Sequence, residues 1–266
     1  MRSPLRHLAP AAAVAALVLA AAAPAAAETI EKTLEQTYRL GRGGHVEVEN
    51  VNGAVVVETW DRSEVRVRAT KKVRATSDES AAEAMERMRI VVEEGAGRLR
   101  LVTRYGEAGD GFFGWLRGHS ERGSISYHLT VPRGIRLVAE TVNGSVTLRS
   151  VDGDVAAETV NGSIKVEDAR GRLDASTVNG SIKVAMREVA PDADLDFSTT
   201  NGSVTVALPA DVRTDLRLRT TNGGIDVDLP MEVHDRSRRR LDATLNGGGG
   251  SVRVETTNGA IRVVES

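Results

Sequence analysis

The chain has 266 residues, 35 Lys and Arg against 37 Asp and Glu for a formal net charge of −2, and no cysteine. A balanced charge lacks the concentrated basic footprint of a nucleic-acid binder, so no nucleic acid is expected as a partner. Without cysteine there is no disulfide framework, no metal-thiolate site and no lipid-modified cysteine to serve as an anchor.

In chain order, residues 1–27 have the features of a secretory signal. Arg2, Arg6 and His7 give a basic start, Ala11 to Ala23 an apolar run, and Ala25-Ala26-Ala27 the small residues of a cleavage site. The run is shorter than the roughly 20 apolar residues that a spanning helix needs, and no later segment meets that length. The mature protein is therefore expected to begin at Glu28 and to be exported to the periplasm or the outside of the cell. Any association with the cell envelope would come through partners, without a transmembrane segment or lipid anchor.

Residues 28–139 have a mixed texture. Val46 to Val57 contains an early Asn52-Gly53 pair between alternating apolar residues, and Val65 to Ala69 continues the alternation. Ser77 to Met88 predicts a helix, opened by a serine cap with acids in its first turn. That helix is the expected cover for one open end of the fold, where strand edges and apolar core would otherwise meet water. Strands are predicted at Arg89–Val92, Leu99–Arg104 and Ser124–Val131. The loop between the last two carries Phe112, Phe113 and Trp115 beside Arg117, His119 and Arg122. Clustered aromatics with basic neighbours are enriched at interfaces, so Phe112, Phe113, Trp115 and Arg117 are a possible partner-contact loop. A plug over the end of the fold is the competing reading.

From residue 140 to 266 the chain repeats. Thr141-Val-Asn-Gly-Ser-Val-Thr-Leu148 returns at Thr159 and Thr177 with a period of 18, then in wider units at Thr199, Thr220 and Thr256. The pairs begin at Asn143, Asn161, Asn179, Asn201, Asn222 and Asn258. Both residue types tolerate left-handed backbone, so each pair marks a turn. A hairpin meander would use such turns too, but recurrence of one residue at one corner favours stacked coils. Two apolar columns alternate at period two: Val146/Leu148, Ile164/Val166 and Ile182/Val184 against Val155/Ala157, Leu173/Ala175 and Leu195/Phe197. Pro191 and Pro209 mark wider turns. The 36 residues from Asn222 to Asn258 equal two periods, which favours an extra coil over one large insertion. The expected architecture is all-β: a β-helix-like solenoid of roughly 18–22-residue coils with Asn-Gly turns and one N-terminal capping helix, residues 28–139 forming its N-terminal part and 140–266 its repeats.

The early Asn-Gly strand pair, Val131-Pro132-Arg-Gly134 and the serial Thr-Val/Thr-Asn-Gly units together resemble the bacterial adhesin-like β-strand-repeat family, a domain of unknown function, across roughly residues 40–266. The resemblance implies a β-solenoid and brings no catalytic residues with it.

The outward positions carry a mixture of charged and polar side chains. Asp174 and Asp196 are candidate stacked neighbours for a calcium or catalytic patch, with two solvated acids on a sheet face as the plainer account. His45, His119, His128 and His234 lack metal-ligand spacing. Gly247 to Gly250 lacks the Lys-Ser/Thr of a phosphate loop. The asparagine column admits a ligand-binding ladder, but a structural turn column explains it more simply. The expectation is a protein that is not an enzyme, with no catalytic residues, cofactor or metal. It would be an exported adhesin or envelope binding module meeting a glycan or protein partner. Alternatives are a carbohydrate-active β-helix enzyme and a self-assembling structural protein.

Overall fold

The computed structural model describes residues 28–75, 77–106 and 123–266. The expected signal, residues 1–27, and the aromatic loop with Phe112, Phe113, Trp115 and Arg117 lie outside the described residues.

The N-terminal elements are β1 (Glu28–Arg39), β2 (His45–Glu49), β3 (Val55–Trp60), β4 (Glu64–Ala75), α1 (Asp78–Arg87), β5 (Met88–Gly95), β6 (Arg98–Tyr105) and β7 (Gly123–Pro132). The repeats supply β8 (Ile135–Asn143), β9 (Val146–Arg149), β10 (Asp152–Asn161), β11 (Ile164–Asn179), β12 (Ile182–Glu188), β13 (Asp194–Asn201), β14 (Val204–Leu208), β15 (Thr214–Asn222) and β16 (Ile225–Val227). The chain closes with β17 (Glu232–Arg236), β18 (Arg240–Leu245), β19 (Gly250–Asn258) and β20 (Ile261–Glu265).

These strands form a curled sheet with two faces. One runs β5, β6, β2, β8, β10, the C-terminal half of β11, β13, β19, β15, β18, β17. The other runs β1, β4, β7, β3, β9, the N-terminal half of β11, β12, β14, β20, β16. Pairing is parallel through the middle and antiparallel at the ends, between β1 and β4, β4 and β7, β5 and β6, β15 and β18, and β17 and β18. The parallel middle follows from the repeat. Each unit crosses from one face to the other at its Asn-Gly corner, so the next unit lays the same residue types on the same rungs: Leu173 on Val155, Thr177 on Thr159, Asn179 on Asn161.

Spatial order departs from chain order at both ends. The β2/β3 coil sits between β6/β7 and β8/β9. The last coil, β19/β20, inserts between β13/β14 and β15/β16. The stretch from Asn222 to Asn258 is therefore not the extra coil that its length favoured. Pro230 lacks the N–H to extend a ladder, and β17 and β18 fold out as an antiparallel extension on the edge of β15. Asn246, Gly247 and Gly248, with φ of 48, 83 and 75°, then reverse the chain. The Asn246 amide holds that reversal by donating to the carbonyls of Ala210 and Val212.

The core is one continuous apolar cluster between the faces, from Tyr38 to Val263. The expected border between residues 139 and 140 falls inside β8, which pairs with β2 on one side and β10 on the other. At the N-terminal end α1 joins β4 of one face to β5 of the other. Ser77 accepts from the Ser80 N–H as its cap, and Ala81 and Met88 are buried. Lys71 donates from Nζ to the carbonyls of Met85 and Met88, and burial lowers its pKa.

The physical role of the corner glycines differs from the expected left-handed turn. Gly162 and Gly180 are absent from the left-handed residues, but a Cβ on either would lie 1.9 Å from the carbonyl oxygen of the glycine one coil before. They are required by the close approach of successive coils. Left-handed backbone occurs at the first corner, with φ of 123° at Gly53, and at the turns midway between later corners, with φ of 124° at Gly153 and 104° at Gly171.

Candidate functional site

Each repeat ends its first strand with an outward residue, an inward threonine, a second outward residue and the corner asparagine. The threonines make a floor. Thr141, Thr159, Thr177 and Thr199 are 4–6% exposed, and each hydroxyl donates to the glycine carbonyl of the preceding coil at 2.9–3.1 Å. The asparagines make an edge. Asn143 donates from Nδ2 to Oδ1 of Asn52, Asn161 to Asn143, Asn179 to Asn161, Asn201 to Asn179, Asn258 to Asn201 and Asn222 to Asn258, all at 2.8–2.9 Å. The six expected column residues are thus brought together, with Asn258 between Asn201 and Asn222. Each gives one amide N–H to its neighbour, donating toward the N-terminal end.

On either side of the threonine floor stand two outward rows. One is Glu49, Glu140, Glu158, Ser176 and Ser198; the other is Val142, Val160, Val178 and Thr200. Between them runs a groove of about 590 Å³, lined at its N-terminal end by Arg104 and Tyr105 of β6. Val160 and Val178 are 39% and 42% exposed, so neither serves the core, and with half-buried Val142 they make an apolar wall. A contiguous apolar strip on an otherwise polar sheet face is the kind of surface that partners cover.

The groove is electrically uneven. Glu49 is tied to Arg100, which also reaches Glu47 and Glu93 and whose own pKa these acids raise. Glu140 and Glu158 have no ion-pair partner among the described residues. Burial, then the charges of Glu158, Glu49 and Glu47, push the Glu140 carboxyl above its ordinary value, with Arg100 opposing. Beyond Thr200 a second stretch of about 500 Å³ shares Thr177, Ser198 and Thr200 with the first and is lined by Arg219, Arg239 and Arg240 with Glu255. The cleft passes from acidic to basic along the stack.

Asp174 and Asp196 do occupy neighbouring rungs of the outward row beside this groove. Burial chiefly, with Asp196 and Glu158 adding, raises the Asp174 pKa. Burial also raises that of Asp196, against the pull of Arg253 at 3.4 Å. Among the described residues no group of three or more His, Asp or Glu side chains is placed to hold a metal ion. None of their helices is long and apolar enough to cross a membrane.

The groove rows were visible in the sequence as Glu140-Thr-Val, Glu158-Thr-Val and Ser176-Thr-Val, each just before an asparagine. Taken singly they are ordinary surface residues, and only in-register stacking makes them two walls.

A model of the family described as Toastrack DUF4097 matches residues 157–264. No curated protein matches the chain. Among solved structures, the chain is similar to a candidate cell adhesion protein from Clostridium sporogenes ATCC 15579, at 11% identity over 88% of this chain and 100% of that one, TM-score 0.45. It is also similar to a candidate adhesin from Bacteroides fragilis NCTC 9343, at 11% identity over 88% and 97%, TM-score 0.38. A candidate lipid binding protein from Parabacteroides distasonis ATCC 8503 is 12% identical over 88% and 95%, TM-score 0.33.

Proposed function

We propose, starting from the match of residues 157–264 to the model of the family described as Toastrack DUF4097, that this chain is an exported, non-catalytic binding module of the adhesin kind. In this reading the curled sheet is a β-solenoid of 18–22-residue coils turning at Asn-Gly corners, with α1 as its N-terminal cap. It serves as a rigid rod that offers one long groove to an extended partner on the cell envelope or outside the cell. The observation that carries the reading is the pair of outward rows in register across β8, β10, β11 and β13, with an exposed valine wall facing a carboxylate and hydroxyl row.

Chain without residues 1–27 should be retained by envelope fractions or by immobilised glycans in a pull-down. The double variant Val160→Lys, Val178→Lys places two cations on the wall without touching the core. It should lose that retention with only a small fall in melting temperature, because exposed substitutions usually cost within about 0.5 kcal/mol and the two facing lysines add a few tenths of a kcal/mol of mutual repulsion. Retention equal to that of the parent protein would remove the groove as the binding surface.

A further inference from the structure

We infer that the groove takes a linear glycan whose sugars carry free amino groups, laid along the stack at about one sugar per coil. This rests on the groove being the binding surface, as proposed above, and adds the chemistry of the occupant.

Three features converge on that class. The first is repeat length. The groove runs across the strands, so identical positions recur at the strand separation of about 4.7–4.9 Å. An extended peptide lying in it advances about 3.3–3.4 Å per residue and presents the same side every second residue, so its side chains drift out of step within two coils. A β-1,4-linked pyranose advances by about one rung per sugar and turns over at each linkage, so it shows the same edge every second rung and stays in step with the stack, as a peptide cannot. The second is the pairing of surfaces. Val142, Val160 and Val178 form an apolar strip able to meet the C–H face of sugar rings, while Glu140, Glu158 and Ser176 on the facing row accept or donate hydrogen bonds at the ring edge. The third is charge complementarity. Glu140 and Glu158 stand directly opposite each other on adjacent strands and have no ion-pair partner among the described residues. Like charges so placed oppose folding, and an ammonium group lying between them would turn repulsion into two charge-assisted hydrogen bonds. The Glu140 carboxyl, raised by burial and by Glu158, Glu49 and Glu47 against the single opposing cation Arg100, should titrate above the ordinary glutamate range. Binding should accordingly weaken on acidification earlier than an ordinary surface carboxylate would allow.

The test uses chain without residues 1–27 and three probes: a β-1,4-linked glucosamine oligomer long enough to cover β8, β10, β11 and β13, its fully N-acetylated counterpart, and oligolysine of similar length. Calorimetric titration should find the glucosamine oligomer bound about tenfold or more tighter than either control, the ratio expected for one charge-assisted hydrogen bond. Glu140→Gln with Glu158→Gln should remove that preference and leave melting unchanged or improved. Equal binding of the acetylated oligomer, tighter binding of oligolysine, or an undiminished preference in the Gln variant would each overturn the inference. The two levels remain separable. If envelope retention is lost in Val160→Lys, Val178→Lys while the glucosamine oligomer never binds, the ligand class alone is wrong. If that variant keeps its retention while the oligomer binds the parent protein, the envelope role of the groove is wrong.

Discussion

At the corner of each coil the side chains are chosen by what lies one rung away. A methyl group at Gly162 would overlap the Gly144 carbonyl oxygen at 1.9 Å, and the atoms it meets, in Gly144 and Ser145, are all backbone, with nothing flexible to move. Gly162→Ala should therefore cost several kcal/mol, in the range reserved for backbone clashes, read as a large fall in melting temperature. Asn161→Ala would break two ladder bonds, one donated to Asn143 and one accepted from Asn179. Because the site is exposed, the loss should be modest, about 1–2 kcal/mol. Glu140 acts in the opposite sense. A carboxyl whose folded pKa is raised favours folding at low pH, and that contribution is lost as pH climbs from the unfolded value through the folded one. Glu140→Gln should raise the melting temperature near pH 7, the gain vanishing below the ordinary glutamate range. A residue that opposes folding at neutral pH yet lines a groove is better explained by what the groove holds than by stability.

Among the elements, the inserted last coil has the largest consequence. β19 is hydrogen-bonded to both β13 and β15, and β20 to both β14 and β16. Removing residues 247–266 would not trim one end. It would detach β15 and β16 from the stack and leave the edges of β13 and β14 bare. Hydrogen exchange on such a truncation should show protection lost in β15 as well as along β13; loss limited to the extreme end of the chain would contradict the insertion. The helix illustrates a simpler case. Ser77 as cap and the acids after it were sufficient to place α1, since capping is settled within one turn. Its seat between β4 and β5 depends on where those strands lie.

For the whole molecule, one core passes through β8 without a break, so residues 28–139 and 140–266 should not melt as separate bodies. Repeat arrays can lose cooperativity along their length, but here both ends are tied in by inserted coils. Calorimetry should show no transition assignable to residues 28–139 alone. Much of this architecture was legible in the sequence. The apolar columns, the shared corner of Asn143, Asn161 and Asn179, and the strands around Leu99 and Ser124 follow from local periodicity and turn chemistry, which act over a few residues and repeat visibly. Coil order was not. Thr199-Thr-Asn-Gly, Thr220-Thr-Asn-Gly and Thr256-Thr-Asn-Gly are nearly interchangeable as local units, so nothing within any of them says that Asn258 stacks on Asn201 and Asn222 on Asn258. That order was decided by the β17–β18 excursion and the left-handed reversal after Leu245, which return the last strand to a slot the earlier coils leave open. The groove shares this origin: Glu140, Glu158, Val160 and Val178 are scattered surface residues in the sequence, and parallel register alone sets them on two walls about one strand spacing apart from coil to coil.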